Sequence, residues 1–185
     1  MPEEAPETTD EAAADSGAAA AAATANLPDD PILKPIVESL DGVEYLVSAG
    51  QDVVMVEKDR LAEVAGAFKD GGFELLTDVT ATDYLGKRRV RFEVVVNLVS
   101  VAHASRVRLR APVPADDTVV PSLVPLYPGA NFFEREVYDM FGIEFDGHPD
   151  MTRILMPDDW VGFPLRKDFS TGAVPVQFKD ANKVT

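Results

Sequence analysis

From Val90 to Val101 the chain reads VRFEVVVNLVSV, with Val90, Phe92, Val94, Val96 and Leu98 at every second position. A helix repeats its apolar residues every three to four positions, so a sustained period of two commits this segment to a strand with one face buried. Ser105 to Ala111 alternates again, with Val107 and Leu109 on one side and Arg106, Arg108 and Arg110 on the other. The fold is therefore built on a sheet, with Val90–Val101 as its expected central strand.

Helical period lies on the N-terminal side of these strands. Pro31 to Leu40 carries Ile32, Pro35, Ile36, Val37 and Leu40 behind a start at Asp30-Pro31. Asp59 to Lys69 carries Leu61, Val64, Ala65 and Phe68 and stops at Gly71-Gly72. Between them, Tyr45 to Val47 and Val53 to Val56 read as a hairpin through Gly50-Gln51-Asp52, and Phe73 to Val79 reads as a third strand. Pro112 to Pro125 is a proline-rich crossing in which Val119 to Leu126 is expected to form a short helix. The fold class is α+β: a small mixed α/β domain with a mainly antiparallel sheet over residues 27–115, then a short helix and a long extended C-terminal arm within 116–185.

Residues 1–26 are rich in Ala, Glu, Thr and Asp, include an alanine run from Ala18 to Ala23, and hold no aromatic residue, so they read as a disordered acidic tail. The tail lacks the basic start of a secretory signal and the arginines of a mitochondrial presequence, which points to a bacterial or archaeal cytoplasm. The chain has no cysteine, which removes disulfides, Cys-held clusters, Cys-based zinc sites and thiol nucleophiles, and its two His supply few metal ligands. No stretch approaches the roughly 18 apolar residues of a membrane-spanning helix, so work at a membrane would go through a partner. With a net charge of −15, the row Arg106, Arg108, Arg110 reads as a solvated sheet face or a contact for a partner's acids; no aromatic residues interleave with it as nucleic-acid binding would need.

The most informative stretch is Asn131 to Phe169. Asn131 as N-cap, Glu134 three positions on and Gly142 as a left-handed stop predict a helix of about ten residues. Phe133, Val137, Met140 and Phe141 share one arc of it, with Glu134, Arg135 and Asp139 outside. Glu136 falls at the rim of the apolar face, where an unpaired carboxylate would cost several kcal/mol, so Arg153 or Arg166 is expected to meet it. Arg135 is expected to pair with Asp139 at i, i+4. Beyond Gly142 the glycines and prolines forbid a helix or central strand, yet Met151, Ile154, Leu155, Met156, Trp160, Phe163 and Leu165 are too apolar to stay solvated. This arm must lie against another surface, with Trp160, the only Trp, as its expected anchor. His148 with Asp150 offers an imidazole and a carboxylate, but no third ligand or nucleophile is placed by spacing. A structural hydrogen bond in a tight Gly147-His148-Pro149 turn is the reading preferred over a free-standing hydrolase.

The run Glu134-Arg135-Glu136, Tyr138-Asp139-Met140-Phe141-Gly142-Ile143, Gly147-His148-Pro149-Asp150, Arg153-Ile154-Leu155, Trp160 with Gly162, and Pro164-Leu165-Arg166-Lys167-Asp168 resembles the signature of the C-type subunit of respiratory complex I, the proton-pumping NADH:quinone oxidoreductase. It departs at Phe132 and Phe133, where a Trp is usual nearby, at Thr152, where a second Arg is common, and at Phe163, in place of a frequent His. The resemblance implies an accessory subunit of the peripheral arm that binds no cofactor itself, with NADH, FMN, iron–sulfur clusters and quinone held by partner subunits. It implies a place on the cytoplasmic side of the cell membrane. There the chain would lie against the large D-type subunit that forms much of the quinone site, near the B-type subunit that carries the terminal iron–sulfur cluster, and among other peripheral-arm subunits. Glu134, Arg135, Glu136, Asp139, His148, Arg153, Trp160, Arg166, Lys167 and Asp168 would be its docking and ion-pair contacts. A homologous subunit of an energy-converting hydrogenase, or of a dehydrogenase fed by another donor, would carry much the same signature.

Overall fold

The computed structural model describes residues 30–170. The expectations for the 1–26 tail and for the arm beyond residue 170 lie outside the described residues. The fold is α+β, with a mainly antiparallel five-stranded sheet in the order β1-β2-β5-β4-β3: β1 (Glu44–Ser48), β2 (Gln51–Met55), β3 (Leu75–Asp83), β4 (Phe92–Ser100) and β5 (Ser105–Val113). Only the β2–β5 pair within it is parallel. β4 is interior, as its alternation requires, but the central position belongs to β5, the strand with the arginines. The hairpin β1–β2 turns through Ala49 and Gly50, both at positive φ, rather than through residues 50–52. A two-residue turn of this kind matches the twist of the strands it joins.

Alternation does what it must. Phe92, Val94, Val96 and Leu98 of β4 and Val107, Leu109, Ala111 and Val113 of β5 are buried in one core, against α1 (Leu33–Ser39), α2 (Leu61–Asp70) and α3 (Ala130–Phe141). A short 3₁₀ turn, Lys58–Arg60, leads into α2, and Phe68 meets Phe73 edge to face, with ring centroids 5.4 Å apart, where the chain leaves the helix. Among the described residues, the opposite face of the sheet carries no helix.

Val119–Leu126 does not form the expected helix. Val119–Pro121 is a strand, β6, pairing in parallel with β7 (Glu144–Asp146), and one turn then carries Leu123 to Tyr127. Pro121 can sit in β6 because that strand has a neighbour on one side only. Val120, Leu123, Tyr127, Val137, Met140, Phe141 and Ile143 join the core of residues 33–113, so one hydrophobic cluster runs through the boundary expected near 115.

Candidate functional site

Helix α3 begins one residue earlier than Asn131, after Gly129, with no side-chain cap. The capping box is not formed because the preceding turn already satisfies the first amides: Ala130 N–H donates to Tyr127 O at 2.8 Å and Asn131 N–H to Pro128 O at 3.4 Å. Gly142 ends the helix in the left-handed conformation, φ +69°. The glycine is needed twice over, since a Cβ there would lie 2.5 Å from the Phe163 ring and 2.6 Å from Arg166 Nη2.

Glu134 was expected outside the apolar arc and is instead fully buried. The loop after β6 covers that side of the helix: Ser122 Oγ donates to Glu134 Oε2 at 2.7 Å and Leu123 N–H to Oε1 at 2.6 Å. Among the described residues no cation pairs with it, and burial, against only these two neutral donors, pushes its pKa up to about 7.

Asp139 is equally buried and differently met. Its Oδ2 accepts from the backbone N–H of Ile154, Leu155 and Met156 at 3.1, 2.8 and 2.8 Å, and Arg153 Nη1 donates to Oδ1 at 2.5 Å. Burial raises its pKa, but the three amides and the guanidinium together outweigh it and hold the carboxyl below the usual Asp range. The expected Arg135–Asp139 pair does not form. Arg135 turns to the arm and donates to Thr152 O, Thr152 Oγ1 and Arg153 O.

The arm therefore runs alongside α3, fastened from end to end. His148 starts it, with Nε2–H donating to Asn131 O at 3.2 Å while Nδ1 accepts from Asp150 N–H at 3.0 Å, so both ring nitrogens are engaged in the turn. Leu165 N–H donates to Met140 O, and Arg166 donates to Phe141 O and Gly142 O at the helix end while lying over the rings of Phe92 and Phe163. Burial and the nearby Arg91 lower the Arg166 pKa. With Arg153 and Arg166 so committed, Glu136 does not receive the cation expected for it. It is exposed and has no ion-pair partner among the described residues.

The last fastening involves residues that the sequence did not single out. Asp83, buried at the end of β3, accepts from Arg91 Nη2 at 2.8 Å, Lys167 N–H at 2.8 Å and Leu85 N–H at 2.9 Å, while Arg91 also reaches Asp168 at 2.6 Å. Burial opposes ionisation of Asp83, but Arg91 first and then the two amides bring its pKa down to about 2. The available signal was Asp83 and Arg91 flanking a hairpin turn, close enough to pair across it. Trp160 stacks on Phe169, centroids 6.3 Å apart, and its buried Nε1–H has no acceptor among the described residues. Among the described residues no three His, Asp or Glu side chains gather to hold a metal, and no helix is long and apolar enough to cross a membrane.

Of the charged signature residues, Glu134 and Asp139 are buried and Arg135, Arg153 and Arg166 are half-buried against the chain, while Glu136, Asp150, Lys167 and Asp168 are exposed; large apolar side chains stand exposed among them. Phe132 at the start of α3 is 62% exposed, and along the arm Leu155 is 55%, Leu165 52% and Val161 88% exposed. An irregular segment held by polar clamps that turns large apolar side chains to solvent is the reverse of an ordinary surface loop.

The chain is similar to several known proteins. The family model described as respiratory-chain NADH dehydrogenase, 30 Kd subunit, matches residues 54–174. The C-type subunit of NADH-quinone oxidoreductase from Salinispora tropica is 46% identical over 141 residues, 75% of this chain and 58% of that protein. Its counterpart from Trichlorobacter lovleyi is 46% identical over 140 residues, 72% of this chain and 86% of its own. A solved trypsin-resistant fragment of Nqo5 superposes with TM-score 0.60 at 37% identity, covering 64% of this chain and 98% of the fragment. A chain of the membrane-bound sulfane sulfur reductase, an archaeal respiratory membrane complex, superposes with TM-score 0.68 at 26% identity, covering 82% of this chain and 95% of its own. This chain spans little more than half the length of the first of these relatives, but the family model takes in β3, β4 and β5, the signature helix and the described arm: the chain belongs to the family of the 30 kDa subunit of respiratory-chain NADH dehydrogenase.

Proposed function

We propose that this chain is the C-type subunit of a proton-translocating NADH:quinone oxidoreductase, in the peripheral arm on the cytoplasmic side of the membrane. It docks to the D-type, quinone-site subunit, near the B-type iron–sulfur subunit, and supports electron transfer from NADH to quinone without binding a cofactor of its own. The observation that carries this reading is the set of exposed apolar side chains Leu155, Val161 and Leu165 on an arm clamped in place by Asp139, Arg153 and Arg166, with Phe132 exposed on α3. Prefixing the shape of an irregular segment removes ordering cost from association, and apolar side chains on such a rigid ridge are what an interface core is made of. In this reading Glu134, Asp139, Arg153 and Arg166 support the interface from behind, whereas Glu136, Lys167 and Trp160 stand at or near its surface.

A second reading has a specific observation behind it. The sulfane sulfur reductase chain is covered almost entirely, so a related membrane complex with another donor or acceptor uses the same fold. The higher identity to the quinone oxidoreductase subunits favours the first. Affinity capture of the tagged chain from solubilised membranes separates them. Co-purification of flavin, iron–sulfur and quinone-site subunits that oxidise NADH supports the first reading, hydrogenase-like or sulfur-reducing subunits support the second, and recovery of the chain alone under conditions that keep the membrane complexes intact contradicts both.

A further inference from the structure

The turn that joins β3 to β4 is strongly basic in a chain whose net charge is −15: residues 84–91 include Lys87, Arg88, Arg89 and Arg91 and no acid. Its own contacts hold it in shape. Tyr84 N–H donates to Arg91 O at 2.6 Å, Tyr84 O accepts from Lys87 N–H at 2.8 Å, Leu85 N–H donates to Asp83 Oδ1 at 2.9 Å, and the Arg88 guanidinium lies 3.9 Å from the centre of the Tyr84 ring. The three carboxylates that meet the turn are already engaged: Asp83 and Asp168 hold Arg91, and Glu93 is shared between Arg88 and Arg110. Lys87 and Arg89 are exposed, and neither side chain has a hydrogen-bond or ion-pair partner among the described residues; the Nζ of Lys167, beside Asp168, has none either. Leu85 stands exposed at the same turn. Spare cations beside an apolar side chain on a preshaped turn are composed like the rim of an interface.

Position ties this rim to the arm. Arg91 reaches Asp168 at 2.6 Å and Asp83 receives Lys167 N–H at 2.8 Å, so the turn stands beside the end of the arm, where Leu165 is exposed. An interface of ordinary size covers about 800 Å² of each partner, a patch roughly 30 Å across, so a subunit seated on the arm reaches this turn as well. The rest of that end of the sheet is acidic: β2 and β5 run out there into Glu57, Asp59, Asp116 and Asp117, with Lys58 bridging Asp59 and Asp117. A flat anionic surface such as a lipid bilayer would meet those acids together with the turn, whereas a narrow acidic segment of a protein meets the turn alone. We propose that the basic turn 84–91 receives an acidic segment of the subunit that covers the arm, forming the charged rim of that interface. This rests on the docking reading above and adds the chemistry of the partner: the face that covers Leu155, Val161 and Leu165 carries Asp or Glu at its edge nearest to Lys87 and Arg89. On a chain of net negative charge, one basic turn against an acidic segment sets the orientation of approach and speeds encounter, and its effect falls with salt.

Because Lys87 and Arg89 are exposed and unpaired among the described residues, their charge can be reversed without touching a clamp. The full chain carrying Lys87→Glu and Arg89→Glu should melt at the wild-type midpoint. Affinity capture from solubilised membranes at about 0.1 M salt should recover about tenfold less of the quinone-site subunit with it than with wild type, the difference shrinking to about twofold at about 0.5 M salt. Lys87→Arg combined with Arg89→Lys, which keeps both charges, should capture as wild type does. On the wild-type complex a carbodiimide, which couples an amine only to a carboxylate in contact with it, should join Lys87 to an Asp or Glu of that subunit. Equal capture by wild type and the reversed variant at both salts, or Lys87 coupled only within its own chain, would overturn the proposal and leave the docking reading in place. Capture unchanged while the reversed variant alone fails to bind phosphatidylglycerol vesicles would overturn it in favour of a lipid surface. Wild type that captures no oxidoreductase subunit would remove the docking reading itself, and the proposal with it.

Discussion

Glu134 and Asp139 lie five positions apart on one helix, both fully buried, yet they hold their protons with opposite strength. The pocket around Glu134 offers two neutral donors from the loop after β6, so burial dominates and the pKa rises to about 7. The pocket around Asp139 offers three backbone amides and a guanidinium, so the charged form prevails although its side chain, too, is shut off from solvent. What surrounds a buried carboxylate, together with how deeply it lies, decides whether it acts as a neutral packing group or as an anion that organises a chain. The first joins α3 to the core loop. The second anchors the arm.

The largest effect should follow from removing the anion. Asp139→Ala leaves three amides without their acceptor and Arg153 without its partner, and is expected to cost about 3–5 kcal/mol in denaturant unfolding, with amide exchange at Ile154, Leu155 and Met156 accelerating ahead of the β-sheet. Asp139→Asn keeps an acceptor and should fall between that variant and wild type.

The two pockets should also respond to pH in opposite directions. Because the folded pKa of Glu134 is raised, its contribution is fully present below the ordinary Glu value of 4.5 and is lost as pH rises through about 7, by about 3 kcal/mol at most. Glu134→Gln, which keeps an acceptor for Leu123 N–H, should abolish that decline while leaving stability near pH 5 little changed. Asp139 and Asp83 have lowered pKa values, so their contributions are present above the ordinary Asp value of 3.8 and fade as pH falls; for Asp83 the loss runs down through about 2. Urea titrations across the pH range of wild type and Glu134→Gln check both signs.

Arg153→Met asks whether the amides alone keep Asp139 ionised. The expected loss is about 1–3 kcal/mol, with the Asp139 carboxyl, followed by NMR, still titrating well below Glu134. The smallest effect is expected at Trp160, whose indole N–H has no acceptor among the described residues. Trp160→Phe keeps the aromatic stack on Phe169 and removes the unsatisfied donor, so the melting midpoint should move by less than about 1 kcal/mol in equivalent stability.

The sheet was legible because alternation is a local property. Val94, Val96, Val107 and Leu109 state which face is buried whatever else the chain does, and the helix stop at Gly142 is equally local. The partners of the charges were not legible, since each depends on where distant segments pass. Glu134 reads as solvent-facing on a helical wheel until the loop of Ser122 closes over it, and Arg135 sits at ideal spacing for Asp139 yet finds better acceptors in the arm. Asp83 meets Lys167, 84 positions on, a contact that no spacing rule reaches. The signature was thus readable as a pattern before its geometry was: Glu134, Arg135, Asp139, Arg153 and Arg166 each find a partner within the chain.

The central claim is that those inward charges set a rigid ridge whose exposed apolar side chains meet the partner subunit. Leu155→Lys combined with Val161→Lys changes exposed side chains only and leaves the backbone N–H of Leu155 on Asp139, so the isolated chain should unfold within about 1 kcal/mol of wild type. Affinity capture of this variant from solubilised membranes should then recover the chain without the quinone-site subunit that wild type is expected to bring down. Recovery of that subunit at wild-type level, from a variant shown to be folded, would contradict the account and place the interface elsewhere on the molecule.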